Sequence, residues 1–305
     1  MQFSNRCLNN FMMYCPPAFP LLMMLQIMLK SGGSMRFRVI IPCILFSCGS
    51  AFADVSEGLA LLDEGDIPAA AEAFQTAFEG GDGDGAFYLG RLFELGLGAE
   101  VDLSRAAQLY AAAVSKGSLP ASNRLGLMYL DGDLVIRNYS RAFELICGAA
   151  DQGDANAQFN CGTLYRDGRG VDADPAKAND YWKAAADQGN IAAANFLAAA
   201  TLEGAGIEAD QAAAFALYEQ TARQGNAMGL YEVARLSDQG IGTEQDKVAA
   251  YTYAILAAVR GYPAAPALRD RIEAELSSDE VIAGQTAAEE WRAQPAVEPS
   301  ETASE

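Results

Sequence analysis

Small and apolar positions return along this chain every 36 residues, without a gap, from residue 85 to residue 264. Gly90, Gly126 and Gly162 fall in one column, which Ala198 and Ala234 continue. Gly96, Gly132, Gly168, Gly204 and Gly240 fill a second. Gly117, Gly153, Gly189, Gly225 and Gly261 fill a third, with Gly81 extending it backward. Ala106, Ala142, Ala178, Ala214 and Ala250 fill a fourth, preceded by Ala70. Five units follow, 85–120, 121–156, 157–192, 193–228 and 229–264. A period in this range marks a stack of small units, each unable to bury its apolar face alone.

Each unit reads as two helices. In 157–192 the first (helix A) covers about 156–167, with Phe159, Gly162 and Tyr165 three apart on one face. Gly168-Arg169-Gly170 ends it, since glycine takes the left-handed backbone of a helix C-terminus. Asp174-Pro175 restarts the chain, Asp as N-cap and Pro at the first helical position. The second helix (helix B) covers about 175–187, with Ala178, Tyr181, Trp182 and Ala185 inward. Gly162 and the Ala columns are small because neighbouring helices cross there. The pattern predicts an all-α fold, a right-handed α-α superhelix (solenoid) of 36-residue helix-turn-helix repeats, with about thirteen or fourteen helices and no sheet. Aromatic positions such as Tyr110, Trp182 and Tyr218 fall in the inner stripe of helix B and read as core.

The ends differ from the array. Residues 54–84 form an N-terminal capping unit: a helix from Val55 to Leu62, the turn Gly65-Asp66-Ile67-Pro68, and a helix from Ala69 to Phe78. Residues 265–292 form a C-terminal cap, with one helix from Pro266 to Leu276 and a second capped by Ser278 and running to Trp291. Trp291 is expected to cover the last apolar face. Residues 293–305 lack apolar periodicity and read as a disordered tail. Residues 35–53 read MRFRVIIPCILFSCGSAFA: a basic start at Arg36 and Arg38, a short apolar run, then Ala51-Phe52-Ala53 as a small-x-small cleavage site. That is a secretory signal peptide, with an apolar run too short to span a membrane. Leu45-Phe46-Ser47-Cys48 only faintly resembles an acylation site. Residues 1–34 read as an upstream over-extension of a chain that starts at Met35.

Charge narrows the function classes. The chain has 21 Lys+Arg, 40 Asp+Glu and no His, for a net charge of −19. The four basic residues before Asp54 are matched by no acid, so the body carries −23. Such a body repels phosphate backbones, which argues against nucleic acid. Without histidine there is no Ser-His-Asp or Cys-His relay and no His-ligated metal. No P-loop, Ser-x-x-Lys or Gly-x-Ser-x-Gly occurs. The acid-rich loops Gly81-Asp82-Gly83-Asp84 and Asp172-Ala173-Asp174 lack calcium-loop spacing and read as helix caps or turns. No catalytic residue, metal site or cofactor is expected.

The repeat pattern resembles the Sel1-like repeat (SLR) family, a relative of the tetratricopeptide repeat. The residues that carry the likeness are strongest in 157–192: Gly162, Tyr165, Gly168, Gly170, Val171, Asp174, Lys177, Ala178, Trp182, Ala185, Ala186 and Gly189. Leu125-Gly126, Tyr129, Gly132, Ala149, Ala150 and Gly153 match in the preceding unit. Cys161 replaces the usual Leu, and Leu134 replaces the second loop glycine, so that loop must differ locally. Units 193–228 and 229–264 lose the helix A Gly and Tyr columns.

In such solenoids helix A lines the concave face. The resemblance therefore implies a scaffold that binds a protein or peptide in this groove, as a monomer, without enzymatic activity. Candidate contact residues off the core stripe are Tyr88, Arg91, Asn123, Arg124, Asn160, Arg166, Asn195, Tyr231 and Arg235. Arg holds a carboxylate bidentately and Asn pairs with peptide amides. A bland alternative is a solvated face. With the signal peptide, the expected compartment is a bacterial periplasm or the exterior, with a role in envelope regulation permitted. The competing class is a secreted hydrolase of cell-wall peptides or β-lactams, which no nucleophile–base pair supports. Cys147 and Cys161 remain after processing. They sit at matching heights on antiparallel helices, seven residues either side of Asp154, so an oxidising compartment would join them. Against this, Cys147 reads as lying beside the core stripe, which leaves open a buried free thiol at Cys161 with Cys147 unpaired.

Overall fold

The computed structural model describes residues 55–132 and 136–294. The signal sequence at 35–53, residues 1–34, Cys48, Leu134 and residues 295–305 lie outside the described residues. Fourteen helices and no strand occur among those described. The N-terminal pair is α1 (Val55–Asp63) and α2 (Ile67–Glu79). Five pairs follow: α3 (Gly83–Leu95) and α4 (Leu103–Ser115), α5 (Leu119–Asp131) and α6 (Tyr139–Ala150), α7 (Ala155–Asp167) and α8 (Pro175–Asp187), α9 (Ile191–Glu203) and α10 (Gln211–Arg223), α11 (Ala227–Gln239) and α12 (Lys247–Val259). The chain closes with α13 (Ala265–Glu273) and α14 (Ser278–Glu290).

Local chemistry explains why the helices start where they do. Asp82, Ser118, Asp154, Asn190 and Asn226 stand 36 apart, and each accepts a first-turn backbone N–H of a helix A. Asp102, Asn138, Asp174, Asp210 and Asp246 do the same for each helix B. A cap of this kind is worth about 1 kcal/mol, so its repetition fixes the register of the whole array. The acid-rich loops are thus accounted for by Asp82 and Asp174. The N–H groups of the helix B caps also bind back to helix A, from Asp102 to Phe93 O at 3.0 Å and from Asp174 to Tyr165 O at 2.9 Å. These bonds clamp the two helices of a unit together.

As far as α12, each helix packs on the helix before it and the helix after it. The helices A also touch one another, α3 with α5 and α5 with α7, so they form the tighter inner layer and the helices B the outer one. The small column at helix A is explained by its partner across the pair. A Cβ on Gly90 would strike the Tyr110 ring, and one on Gly162 would lie 2.7 Å from Cδ1 of Trp182. Tyr110, Trp182 and Tyr218 are buried, as their stripe predicts.

The ends depart from the sequence reading in detail. Helix α13 stops at Glu273, and Leu276 packs beyond it against the core. The cap of α14 is Ser277, one residue before the expected Ser278, and it forms a reciprocal capping box with Glu280. Helix α14 packs across α12 rather than continuing the stack, with Gly284 against the Tyr251 ring. Trp291 packs on the core around Tyr218 and Leu230, under the Arg260 guanidinium at 4.5 Å. Ala293 and Gln294 belong to the folded body: the Gln294 N–H donates to Arg223 O at 2.8 Å.

Candidate interaction face

The nine groove residues do not form one free surface. Arg166 is exposed, and the other eight are buried or half-buried. Glu94 is the hub at one end. Its carboxylate takes Arg91 Nη1 at 2.7 Å, Arg124 Nη2 from the next unit, and the Tyr110 hydroxyl. Burial lowers the Arg124 pKa, and the neighbouring Arg91 charge adds to this. Burial pushes the Tyr110 hydroxyl up to about 12. Arg124 is therefore a tie between units before it is a contact for a partner.

The asparagines act the same way. Asn160 Nδ2 donates to Asn123 Oδ1 at 2.8 Å, bridging α7 to α5. Asn195 is 2% exposed, accepts from Thr221 Oγ1 at 2.8 Å and donates to Asn226 at 3.0 Å. This corrects the assignment of Asn195 to the groove, because an amide so deeply buried is out of a partner's reach. The position faces α10 because helix A is sandwiched between two helices B, which widens its buried arc. Arg235 is held by Glu232 at 2.7 Å, Tyr231 stacks on Tyr262 at 4.5 Å, and Tyr88 stacks on Phe74 at 5.0 Å.

Arg166 differs. Its guanidinium lies over the rings of Phe196 at 5.0 Å and Trp182 at 5.8 Å. Its Nε donates to Asp167 at 2.7 Å, and its Nη groups donate to no acceptor among the described residues. A cleft of about 160 Å³ opens beside it, walled by Asn179, Ala200 and Glu203. Asn179 Nδ2 donates to Ala205 O at 2.8 Å, while its buried Oδ1 has no donor among the described residues. The sequence reading missed Phe196, Asn179 and Glu94. The period itself could have revealed Asn179, which occupies the column of Phe143 and Phe215.

Cys147 and Cys161 are joined in the structure, with Cα atoms 5.1 Å apart. Cys147 is 5% exposed and lies within the core, not beside it. Helix α6 is covered by its own α5 and by α7, so its apolar arc is wider than a single stripe. Among the described residues no group of three or more Cys, Asp or Glu could hold a metal ion. No helix there is long and apolar enough to cross a membrane.

The family model described as Sel1 repeat matches residues 83–118, 119–154, 155–190, 191–226 and 227–262. The chain belongs to the Sel1 repeat family. Its units begin two residues before the boundaries read from the sequence, at the first residue of each helix A, just after its N-cap. No curated protein sequence matches the chain. A crystal structure of a Sel1 repeat protein from Oxalobacter formigenes is 23% identical, covers 79% of this chain and 98% of its own, and superposes with a TM-score of 0.66. A protective antigen present in uropathogenic Escherichia coli strains, with an SLR fold, is 24% identical with a TM-score of 0.64. That match covers 77% of this chain and 55% of the antigen. These likenesses establish the Sel1 repeat solenoid as the fold. Sel1 repeats commonly mediate protein interactions, and proteins built from them are generally scaffolds or adaptors.

Proposed function

We propose that this Sel1 repeat protein is an exported, non-enzymatic adaptor that holds a protein or peptide partner on its helix A face. The observation that carries this is Arg166. It is an exposed cation seated on two aromatic rings, with its Nη edge free and an adjoining cleft. A guanidinium stacked in this way is already ordered, so a carboxylate binds its fork at small entropic cost. The expected ligand is an acidic side chain or C-terminal carboxylate of the partner. Its neighbouring amide would reach the Asn179 wall, and a small apolar group would fill the cleft. Export rests on the signal-like residues 35–53. The Cys147–Cys161 bridge fits an oxidising compartment such as the periplasm.

Affinity purification of tagged wild-type protein from periplasmic extract, with mass spectrometry, should yield a partner that Arg166→Glu loses. Arg141→Glu, on the outer layer, should retain it. Equal capture by wild type and Arg166→Glu would remove the assignment. Turnover of nitrocefin by the purified mature chain would favour the hydrolase class instead.

A further inference from the structure

A second groove, sharing no residue with the helix A face, lies where the N-terminal pair meets the first repeat. It runs between α2 and α4 over α3 and has a volume of about 340 Å³. Ile67 and Ala71 line one side, Leu92 and Phe93 the floor, Leu97 and Leu109 the other side. Leu97 in this lining is exposed, as are Val101 and Leu103 farther along the chain. The volume is at the small end of the range for a ligand site.

Two of the chain's own junctions show what such a groove can hold, whereas Ala107 and Asn179 occupy the Ala71 column at the other two. At the junction of the second and third units, 72 residues on, Phe143 replaces Ala71, Tyr165 replaces Phe93 and Tyr181 replaces Leu109. Phe143 packs edge-on to Tyr165 with centroids at 5.5 Å, and Tyr165 stacks on Tyr181 at 5.7 Å. A Cβ on the loop glycine Gly170 would meet Phe143 at 3.1 Å. At the junction of the fourth and fifth units a Cβ on Gly242 would likewise meet Phe215 at 3.1 Å, with Ser237 in the Tyr165 position. At the first junction Gly98 holds the same loop place, but Ala71 supplies no ring. The groove is shaped for an aromatic side chain that this part of the chain does not provide.

Charge says more about the occupant. At the third unit Lys177 lies over the Tyr165 ring at 5.1 Å and pairs with Asp174 at 3.8 Å. Arg105 takes the same position over Phe93, at 4.5 Å, but no carboxylate pairs with it among the described residues. Most other cations on this acidic body are paired. We infer that this groove receives an aromatic side chain from a partner polypeptide, with an adjacent carboxylate held by Arg105. The ring takes the place that Phe143 and Phe215 fill elsewhere, and the carboxylate takes the guanidinium edge away from Phe93.

The test uses methyl NMR on the mature chain with three capped tetrapeptides, Gly-Phe-Asp-Gly, Gly-Phe-Asn-Gly and Gly-Ala-Asp-Gly. The Phe-Asp peptide should shift the methyls of Ile67, Leu92, Leu97 and Leu109. The Phe-Asn peptide should bind about tenfold more weakly, since it loses one charge-assisted hydrogen bond. The Ala-Asp peptide should not bind. Ala71→Phe, which copies the chain's own filled junctions, should abolish binding while the unfolding midpoint holds or rises. Arg105→Gln should weaken the Phe-Asp peptide to the level of the Phe-Asn one. Undiminished binding by Ala71→Phe, or equal affinity for the Asp and Asn peptides, would overturn the inference. So would a wild-type dimer that Ala71→Phe dissolves, which would make a second copy the occupant. Binding that appears only after residues 295–305 are removed would likewise assign the groove to the chain's own tail.

Discussion

Arg124, on the inner helix of the second repeat, donates to Glu94 on the inner helix of the first. The same carboxylate binds Arg91 and Tyr110, so one mostly buried acid joins two repeats and both layers of its own. Glu94→Ala leaves two guanidiniums and a buried hydroxyl without their acceptor. Each arginine side chain is 35% exposed, so water recovers part of the loss. The expected cost is about 2 kcal/mol. Glu94→Gln, which keeps an acceptor oxygen, should cost less. Urea midpoints of the two variants against wild type test this ordering.

Gly189 and Gly242 both have positive φ, 87° and 70°, but only one is crowded. A Cβ on Gly189 meets nothing within 4 Å, whereas one on Gly242 would overlap the carbonyl oxygen of Gln211 on the previous helix B. Gly189→Ala should therefore cost only the left-handed backbone term, about 1 kcal/mol. Gly242→Ala adds a backbone displacement between two units and should cost about 3 kcal/mol or more. Equal midpoints for the two variants would refute the close-approach reading of the second loop column.

The repeat, its two helices and their turns were legible because each is written five times. A column of Gly or Asp at fixed spacing separates constraint from chance. The face was less legible, since period places a residue on a helix side but does not say what the next helix brings to it. Arg124 reads as a free cation until Glu94 is placed beside it. Asn195 reads as exposed until α10 covers it. Phe196 shares its column with Tyr88, Arg124, Asn160 and Glu232, so the period puts it on the helix A side, but only the structure shows it beneath Arg166. The two C-terminal helices were read, but their packing was not, for the opposite reason: they occur once, and nothing in 265–292 announces that α14 folds over α12.

The Cys147–Cys161 bridge closes a loop across 14 sequence positions between the second and third repeats. By the chain-entropy model such a loop contributes about 3 kcal/mol. Thiol titration of the denatured mature chain should find no free thiol before reduction and both after it. Reduction, or the pair Cys147→Ala and Cys161→Ala, should lower the urea midpoint, and hydrogen exchange should quicken first in α6 and α7. Two free thiols in unreduced protein would refute the bridge in the native chain.

Acid should loosen the C-terminal cap before the central repeats. Lys247 holds the Glu275 carboxyl below the usual carboxylate range, and the Ser277 hydroxyl and backbone N–H do the same for Glu280. A lowered folded-state pKa contributes stability above the unfolded value, about 4.3, which is lost as pH falls through the folded values. Both carboxyls are exposed, so the effect is local. Amide protection in α14 relative to α8 should drop between about pH 5 and about pH 3. Glu280→Gln should reduce that drop.

The helix that folds back over α12 also decides where the chain leaves the body. Because Gln294 is bonded to Arg223 at the end of α10, the polypeptide departs beside the fourth repeat, upstream of the array's last turn. A domain, tag or fluorophore joined directly after Gln294 would start from the edge of the array where the helices B end, at the fourth repeat. Helix α14, laid over α12, and α13 together cover the last repeat, so no further unit can stack directly upon it.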